Sequence, residues 1–294
     1  MHLSILIPCY NWDVFDFINQ LHNLCVKEKK IINFEIICYE DASRHTYSNN
    51  LIENLKNVKY LNFKKNIGRS SIRNQLGADA KYEWLLFIDC DSKIAGNDFL
   101  KKYINAASKR KSKKTVFYGP TIYEKNIVDE NTKLHYKYGN LVETKMKKNN
   151  FSSHHFLIHK NQFIKNQFDN KITTYGYEDV LFSTFSNLEF KYINNPLFHI
   201  GIKTNEVYLS DTEKAITNLA NYANEIQINK KVKILKYFKI FEKLNLSKII
   251  LIIYNLTENK IIKNLNSTNP KICLFQFYKL GLLIRQIKKL KKSQ

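Results

Sequence analysis

The sequence predicts an α/β fold, a mostly parallel central sheet flanked by helices, with a basic helical extension at its C-terminus. Three observations carry this. Strand-length apolar runs alternate with helical patterns through the first 120 residues, as βαβ units do. One of those runs, Trp84 to Ile88, ends abruptly in Asp89 and Asp91. The last 65 residues are helical in pattern and crowded with lysine.

The elements follow in order. A strand over 3–7 precedes Val14, Ile18, Leu21 and Cys25, which recur at steps of three and four on one helix face that Asp13 is placed to cap. Runs 34–39 and 58–63 read as strands, with a short helix over 51–55 between them. A helix over 70–80 is entered after Gly68. Then come a strand over 83–88, a helix over 98–107 and a strand over 115–118. Residues 121–150 lose this rhythm and read as a long polar loop. Structure returns over 151–159, in a helix opening near Glu178, and over 191–200; from about 205 the pattern is helical. We therefore place one domain over 1–228 and a basic amphipathic region over 229–294.

At 294 residues the chain can bury a sizeable core, and its 44% hydrophobic content is that of a globular protein. A formal charge of +21 calls for a polyanionic partner or surface. The five cysteines are odd in number and scattered, with no C-x-x-C pair, so reduced cytoplasmic thiols are expected rather than a disulfide framework or zinc site. Met1 leads straight into a strand, which leaves no room for a signal peptide. The longest apolar run, 249–254, falls far short of the roughly 20 residues of a spanning helix. In the tail, Cys273, Phe277, Leu280, Ile284 and Ile287 recur at helical steps, and Arg285, Lys288, Lys289, Lys291 and Lys292 crowd the end; residues 232–244 show a similar mix. A basic helix with a bulky apolar face fits an anionic membrane surface, each cation contributing about 1 kcal/mol. The alternative is packing on the domain or on another subunit. Interleaving with Ile and Leu rather than exposed aromatics argues for lipid and against nucleic acid.

On a strand, side chains i and i+2 share a face, so Asp89 and Asp91 are expected to stand together at the edge where open α/β sheets bind ligands. Two like charges so close call for a cation or a proton, which suggests a divalent metal on oxygen ligands; otherwise the pair is an acidic turn capping the next helix. Four further segments bear on this. They are Pro8-Cys9-Tyr10-Asn11 after the first strand, Glu40-Asp41-Ala42-Ser43 after the second, Asn66-Ile67-Gly68 running on to Arg73-Asn74, and Tyr175-Gly176-Tyr177-Glu178-Asp179.

In this order and spacing, over about residues 3–200, these segments resemble the family 2 glycosyltransferases of the GT-A fold. The resemblance implies a sugar transferred, with inversion, from a nucleotide diphosphate donor, UDP-linked, to a glycan or lipid-linked glycan in surface polysaccharide synthesis. It implies that Pro8, Tyr10, Glu40, Asp41 and Arg73 line the nucleotide pocket. It implies that Asp91 holds Mg²⁺ or Mn²⁺ on the diphosphate, with Asp89 on the donor or on the metal, and that His199 completes these contacts. Asp179 is implied as the base that deprotonates the acceptor hydroxyl, and His154, His155 and His159 fall near the acceptor side. A metal neutralises the leaving diphosphate, a positioned carboxylate activates the hydroxyl, and one base opposite the leaving group gives inversion. Two positions depart from the family pattern: Glu40 stands for its first Asp, and Cys9 for its Thr or Ser. The expected location is cytoplasmic, peripheral on the inner face of the cell membrane.

Two rivals are weaker. A phosphatase of the haloacid dehalogenase type also places Asp-x-Asp after an apolar strand, but near its N-terminus and followed by Gly-Thr, whereas Asp91 precedes Ser92-Lys93 and three strands come before it. A non-enzymatic membrane- or nucleic-acid-binding protein rests on charge alone.

Overall fold

The computed structural model describes residues 1–45, 47–109, 113–125, 129–144 and 150–293. They form two compact units, one of Met1–Glu124, Glu143–Thr173 and Phe185–Gly201, the other of Lys125–Val142, Thr174–Thr184 and Ile202–Gln294. Position 228 falls inside the second.

In the first unit the chain runs through β1 (His2–Cys9), α1 (Phe15–Lys27), β2 (Asn33–Glu40), β3 (Val58–Asn62), α2 (Arg69–Asp79), β4 (Trp84–Ile88), β5 (Ser92–Ile94), α3 (Phe99–Ser108), β6 (Thr115–Tyr118) and β7 (Thr121–Ile122). Next comes α4 (Lys133–Tyr138), in the second unit. β8 (His155–His159) and α5 (Lys160–Lys165) return to the first. α6 (Glu178–Phe185) lies chiefly in the second, and β9 (Glu189–Tyr192) and β10 (Leu197–His199) complete the first. The chain ends as α7 (Asn205–Asn221), α8 (Ile226–Lys231), α9 (Lys233–Lys243), α10 (Ser247–Leu265) and α11 (Ile272–Ser293).

Seven strands form the main sheet in the order β3-β2-β1-β4-β8-β6-β9. β3, β2, β1 and β4 are parallel, and β8 is antiparallel to both β4 and β6. Helices cover both faces. Leu3, Ile5 and Ile7 of β1 pack with Phe17, Ile18 and Leu21 of α1 and with Phe99 and Tyr103 of α3. On the other face Phe87 of β4 stacks on Phe156 and meets Phe163 of α5. A strand buried on both faces must be apolar throughout, which is why Leu85 to Ile88 shows no alternation. Asp13 is not the N-cap expected of it: Val14 occupies that position, and Asp13 Oδ1 accepts from Phe15 N at 3.0 Å in the turn before the helix. The expected helix over 51–55 is a 3₁₀ turn over Asn49–Asn54, and 191–200 is broken into the end of β9 and all of β10.

In the second unit, α11 packs against α7 and α10. Gly281 permits this contact, since a Cβ there would lie 2.2 Å from the Tyr254 ring. Ile284 and Ile287, read above as part of a membrane-facing stripe, are buried. For α11, packing is what the apolar residues do. Among the described residues no helix is long and apolar enough to cross a membrane.

Candidate functional site

Parallel pairing brings the carboxyl ends of β2, β1 and β4 side by side. Cys9 is level with Glu40, and Leu6 with Phe87, so Pro8, Tyr10, Glu40, Asp41 and Asp89 lie along one edge of the sheet. Pro8 is half-buried at the end of β1, and the Tyr10 ring beyond it is 43% exposed.

The two aspartates do not obey strand alternation, because β4 stops at Ile88 and a turn follows. Asp89 N donates to His154 O at 2.9 Å, and Ser92 Oγ donates to Asp89 O at 2.7 Å, which pins the turn. The side chains then take different partners. Asp89 Oδ1 accepts from an Arg73 guanidinium nitrogen at 2.6 Å, with Arg73 almost wholly buried on α2. Asp91 Oδ2 lies 3.1 Å from His199 Nε2.

His199 is 108 residues away in sequence and arrives through a second, three-stranded sheet, β5-β10-β7. Antiparallel pairing sets His199 opposite Ser92, next to Asp91. Ile200 N also donates to Asp91 O at 2.9 Å. Gly201 closes over the carboxylate: a Cβ there would lie 2.3 Å from Asp91 Oδ2. Burial pushes the Asp91 carboxyl up, but His199, His154 and Arg69 outweigh it and hold the group well below the usual carboxylate range. Burial also pushes His199 down, and Asp91 reverses this, helped by Glu143, so that the imidazole ends above its ordinary value.

Glu40 and Asp41 are buried and engaged. Glu40 Oε2 accepts from Tyr60 Oη in a short hydrogen bond and from Asn49 Nδ2 at 3.2 Å. Asp41 accepts from Ile67 N at 2.7 Å and Gly68 N at 2.9 Å, so it ties the loop before α2 to the end of β2. Burial raises its pKa more than these two amides lower it.

In the second unit, Glu178 and Asp179 open α6. Glu178 Oε2 accepts from Gly176 N at 3.0 Å, and the half-buried Asp179 accepts from Val180 N at 2.7 Å. Gly176, at φ +107°, has no room for a side chain, since a Cβ would lie 2.3 Å from Ala215 Cβ. Tyr177 sits at φ +67°, a conformation unfavourable for a bulky residue, held just before the two acids.

His154, His155 and His159 each bond to the scaffold. His154 bridges Ser92 Oγ and Thr121 Oγ1, both at 3.0 Å. His155 Nδ1 lies 2.6 Å from Tyr103 Oη, and burial pushes its pKa down to about 4. His159 caps α5, accepting from Asn161 N. Sequence reading also missed that the thiols of Cys9 on β1, Cys38 on β2 and Cys90 just after β4 lie near one another. Places near the carboxyl ends of three adjacent parallel strands were signal enough for it. Glu143, which accepts from Tyr123 beside the His199 ring, gave none.

A hard divalent cation takes one or two protein ligands and completes its shell with substrate phosphates and water. Asp91 with His199 is a pair of that kind, and Asp89 beside them meets Arg73 through Oδ1. Among the described residues no three His, Cys, Asp or Glu side chains are grouped to hold a metal by themselves.

The family model for glycosyl transferase family 2 matches residues 4–173. The chain belongs to that family. Its GT-A architecture, a mainly parallel sheet flanked by helices with a helical C-terminal region, is the one expected. Among solved structures, GalNAc-T7 with UDP, GalNAc and Mn²⁺ shares 15% identity over 68% of this chain and 43% of that one, with a TM-score of 0.51. S. aureus TarS shares 18% over 76% of this chain, TM-score 0.48, and this chain spans 40% of the TarS chain. The 1–349 piece of S. aureus TarS in complex with UDP shares 15% over 100% of this chain and 92% of that one, also at 0.48. No curated protein matches the sequence.

Proposed function

We propose that this glycosyltransferase moves a sugar from a UDP-linked donor to a hydroxyl of a glycan or lipid-linked glycan, with inversion. Surface polysaccharide assembly is the pathway class, and the cytoplasmic face of the cell membrane the place, with the C-terminal region as peripheral anchor. The observation that carries the reading is the Asp91–His199 pair, 3.1 Å apart, at the carboxyl edge of the family-matched sheet. The GalNAc-T7 structure, which holds UDP, GalNAc and Mn²⁺, is in keeping with it.

Pro8, Tyr10, Glu40 and Asp41 bind the nucleotide, with Arg73 beside them. Glu40 is fixed by Tyr60 and Asn49, so its longer side chain is held in place. Asp91 and His199 would hold Mn²⁺ or Mg²⁺, which when bound neutralises charge gathering on the departing diphosphate. Asp89, oriented by Arg73, would face the donor ribose or sugar, or reach the metal through water. Asp179 removes the proton of the acceptor hydroxyl, and a single base of this kind gives single displacement.

Ligand-observed NMR against a panel of nucleotide sugars with Mn²⁺ tests this. A UDP-sugar is expected to bind, and Asp91→Ala to weaken it by at least about tenfold, the loss of one charge-assisted contact. Binding that ignores both the metal and the variant would sink the reading.

A further inference from the structure

The positive charge of the chain is concentrated. Residues 229–294 hold sixteen Lys and Arg against two Glu. Both Glu are engaged, Glu242 with Lys239 and Lys291, Glu258 with Arg285. Within this region α11 turns its apolar side inward: Phe275, Tyr278, Leu283, Ile284 and Ile287 are all buried.

α10 differs, because it is apolar on two sides. Leu251, Tyr254, Ile261 and Leu265 are buried. On the opposite side of the helix Ile249, Ile252, Ile253 and Leu256 fall on one stripe, 53%, 58%, 48% and 78% exposed. α9 repeats the arrangement. Leu235 and Phe238 are buried, while Tyr237, Ile240 and Leu244 form an exposed stripe at steps of three and four. Exposed lysines accompany both stripes: Lys233, Lys236 and Lys243 on α9, Lys260 and Lys263 further along the same side of α10. Single exposed apolar residues are ordinary, but seven on two consecutive helices are not.

We propose that Tyr237 and Ile240 of α9 and Leu244 just after it, with Ile249, Ile252, Ile253 and Leu256 of α10, form a docking surface for an anionic lipid bilayer. The inference rests on the peripheral-membrane reading above, keeps α9 in the contact, and replaces α11 with α10. Bulky apolar side chains enter the boundary between headgroups and acyl chains, while lysines stay at phosphate level with their aliphatic stems beside them. A second copy of this chain would fit the apolar stripes but not the charge, since the same cations would face one another. Anionic lipid matches both.

Flotation of the full chain with phosphatidylglycerol-containing or pure phosphatidylcholine vesicles tests this. The protein is expected to float with the anionic vesicles only and to be released by salt. Ile252→Asp with Leu256→Asp, or Ile240→Asp with Leu244→Asp, is expected to weaken binding by about tenfold or more, as placing charge in the apolar layer must. Cys273→Asp, on an exposed position of α11, is expected to leave binding unchanged. Thermal melting and UDP-sugar NMR on each variant confirm that the fold and the nucleotide site are intact. If the wild type ignores anionic vesicles, the peripheral reading and this inference fall together. If it binds and both double variants bind equally well, or if only Cys273→Asp weakens it, the α9–α10 surface alone is wrong. A wild-type dimer that the double variants dissociate, with vesicle binding unaltered, overturns it in favour of self-association.

Discussion

At the sheet edge of the first unit charges are matched, while along α9 to α11 they are in large excess. Asp89 has Arg73 at 2.6 Å and Asp91 has His199 at 3.1 Å, both pairs largely out of water. In the last 66 residues sixteen cations meet two carboxylates, and most of those cations point outward. A net charge of +21 therefore describes neither region. In the sheet unit, charge is a device for holding side chains in fixed positions, since each buried ion needs its partner. In the helical unit it is a surface property, meaningful only toward something else. The two regions should respond differently to the same kinds of substitution.

Glycine replacement should separate them most widely. Gly201→Ala puts a methyl 2.3 Å from Asp91 Oδ2, so the carboxylate must move. A displacement of about 1 Å in a positioned group costs about a hundredfold in rate. Sugar transfer is expected to fall by that factor while the melting temperature changes little. Gly281→Ala puts a methyl 2.2 Å from the Tyr254 ring and should do the reverse, costing about 1–3 kcal/mol of stability through overpacking with transfer retained. Transfer rates and urea midpoints for the two variants decide it. Equal loss of activity in both would erase the distinction between the regions.

The next comparison sets two arginine–carboxylate pairs against each other. Arg73 is 2% exposed and Asp89 19%, whereas Arg285 and Glu258 are 28% and 25% exposed. Arg73→Met leaves Asp89 partly buried beside an apolar side chain, and about 3 kcal/mol of destabilisation is expected, the lower end for a broken buried pair. Arg285→Met breaks a bidentate contact to Glu258 that water can replace, and about 1 kcal/mol is expected. Chemical denaturation of each variant measures both. A larger loss at Arg285 would mean that solvent exposure does not rank these pairs.

The same contrast explains what could be read from the sequence. Parallel strands announce themselves as apolar runs, so β1 to β4 and the carboxyl edge they share were legible, along with Pro8, Glu40, Asp41 and Asp89. Those features depend on local pattern and on one topological rule. The pairing of Asp91 with His199 was legible only through family resemblance, because it depends on β5 and β10 meeting across more than a hundred residues. The divergence of Asp89 and Asp91 was implied by the resemblance and not by the strand pattern, since alternation holds only while the strand lasts and β4 ends one residue too soon. In the tail, periodicity identified amphipathic helices but could not say which side of each would be covered. α10 carries two apolar sides, and only packing against α11 determines which one remains in water.

The smallest expected effect is a difference of sign. Asp41, at the sheet edge, is raised by burial against two backbone amides. Asp211, on α7, is also pushed up by burial, but Lys203 at 2.7 Å and Lys214 at 3.0 Å outweigh this and lower it. An unfolded Asp titrates near 3.9. Asp211 therefore binds fewer protons folded than unfolded, so its contribution to stability is present above that value and is lost as pH falls through its own lowered pKa. Asp41 has the opposite linkage: it binds more protons when folded, and its ionisation weakens the fold as pH rises from the unfolded value through the raised one. Carboxyl-carbon NMR titration should find Asp41 above and Asp211 below the unfolded midpoint. Asp211→Asn should then reduce the fall in urea midpoint between pH 6 and pH 3, about one carboxylate's share of the whole acid response. If both aspartates titrate on the same side, the sheet edge and the helices do not differ in how they hold charge.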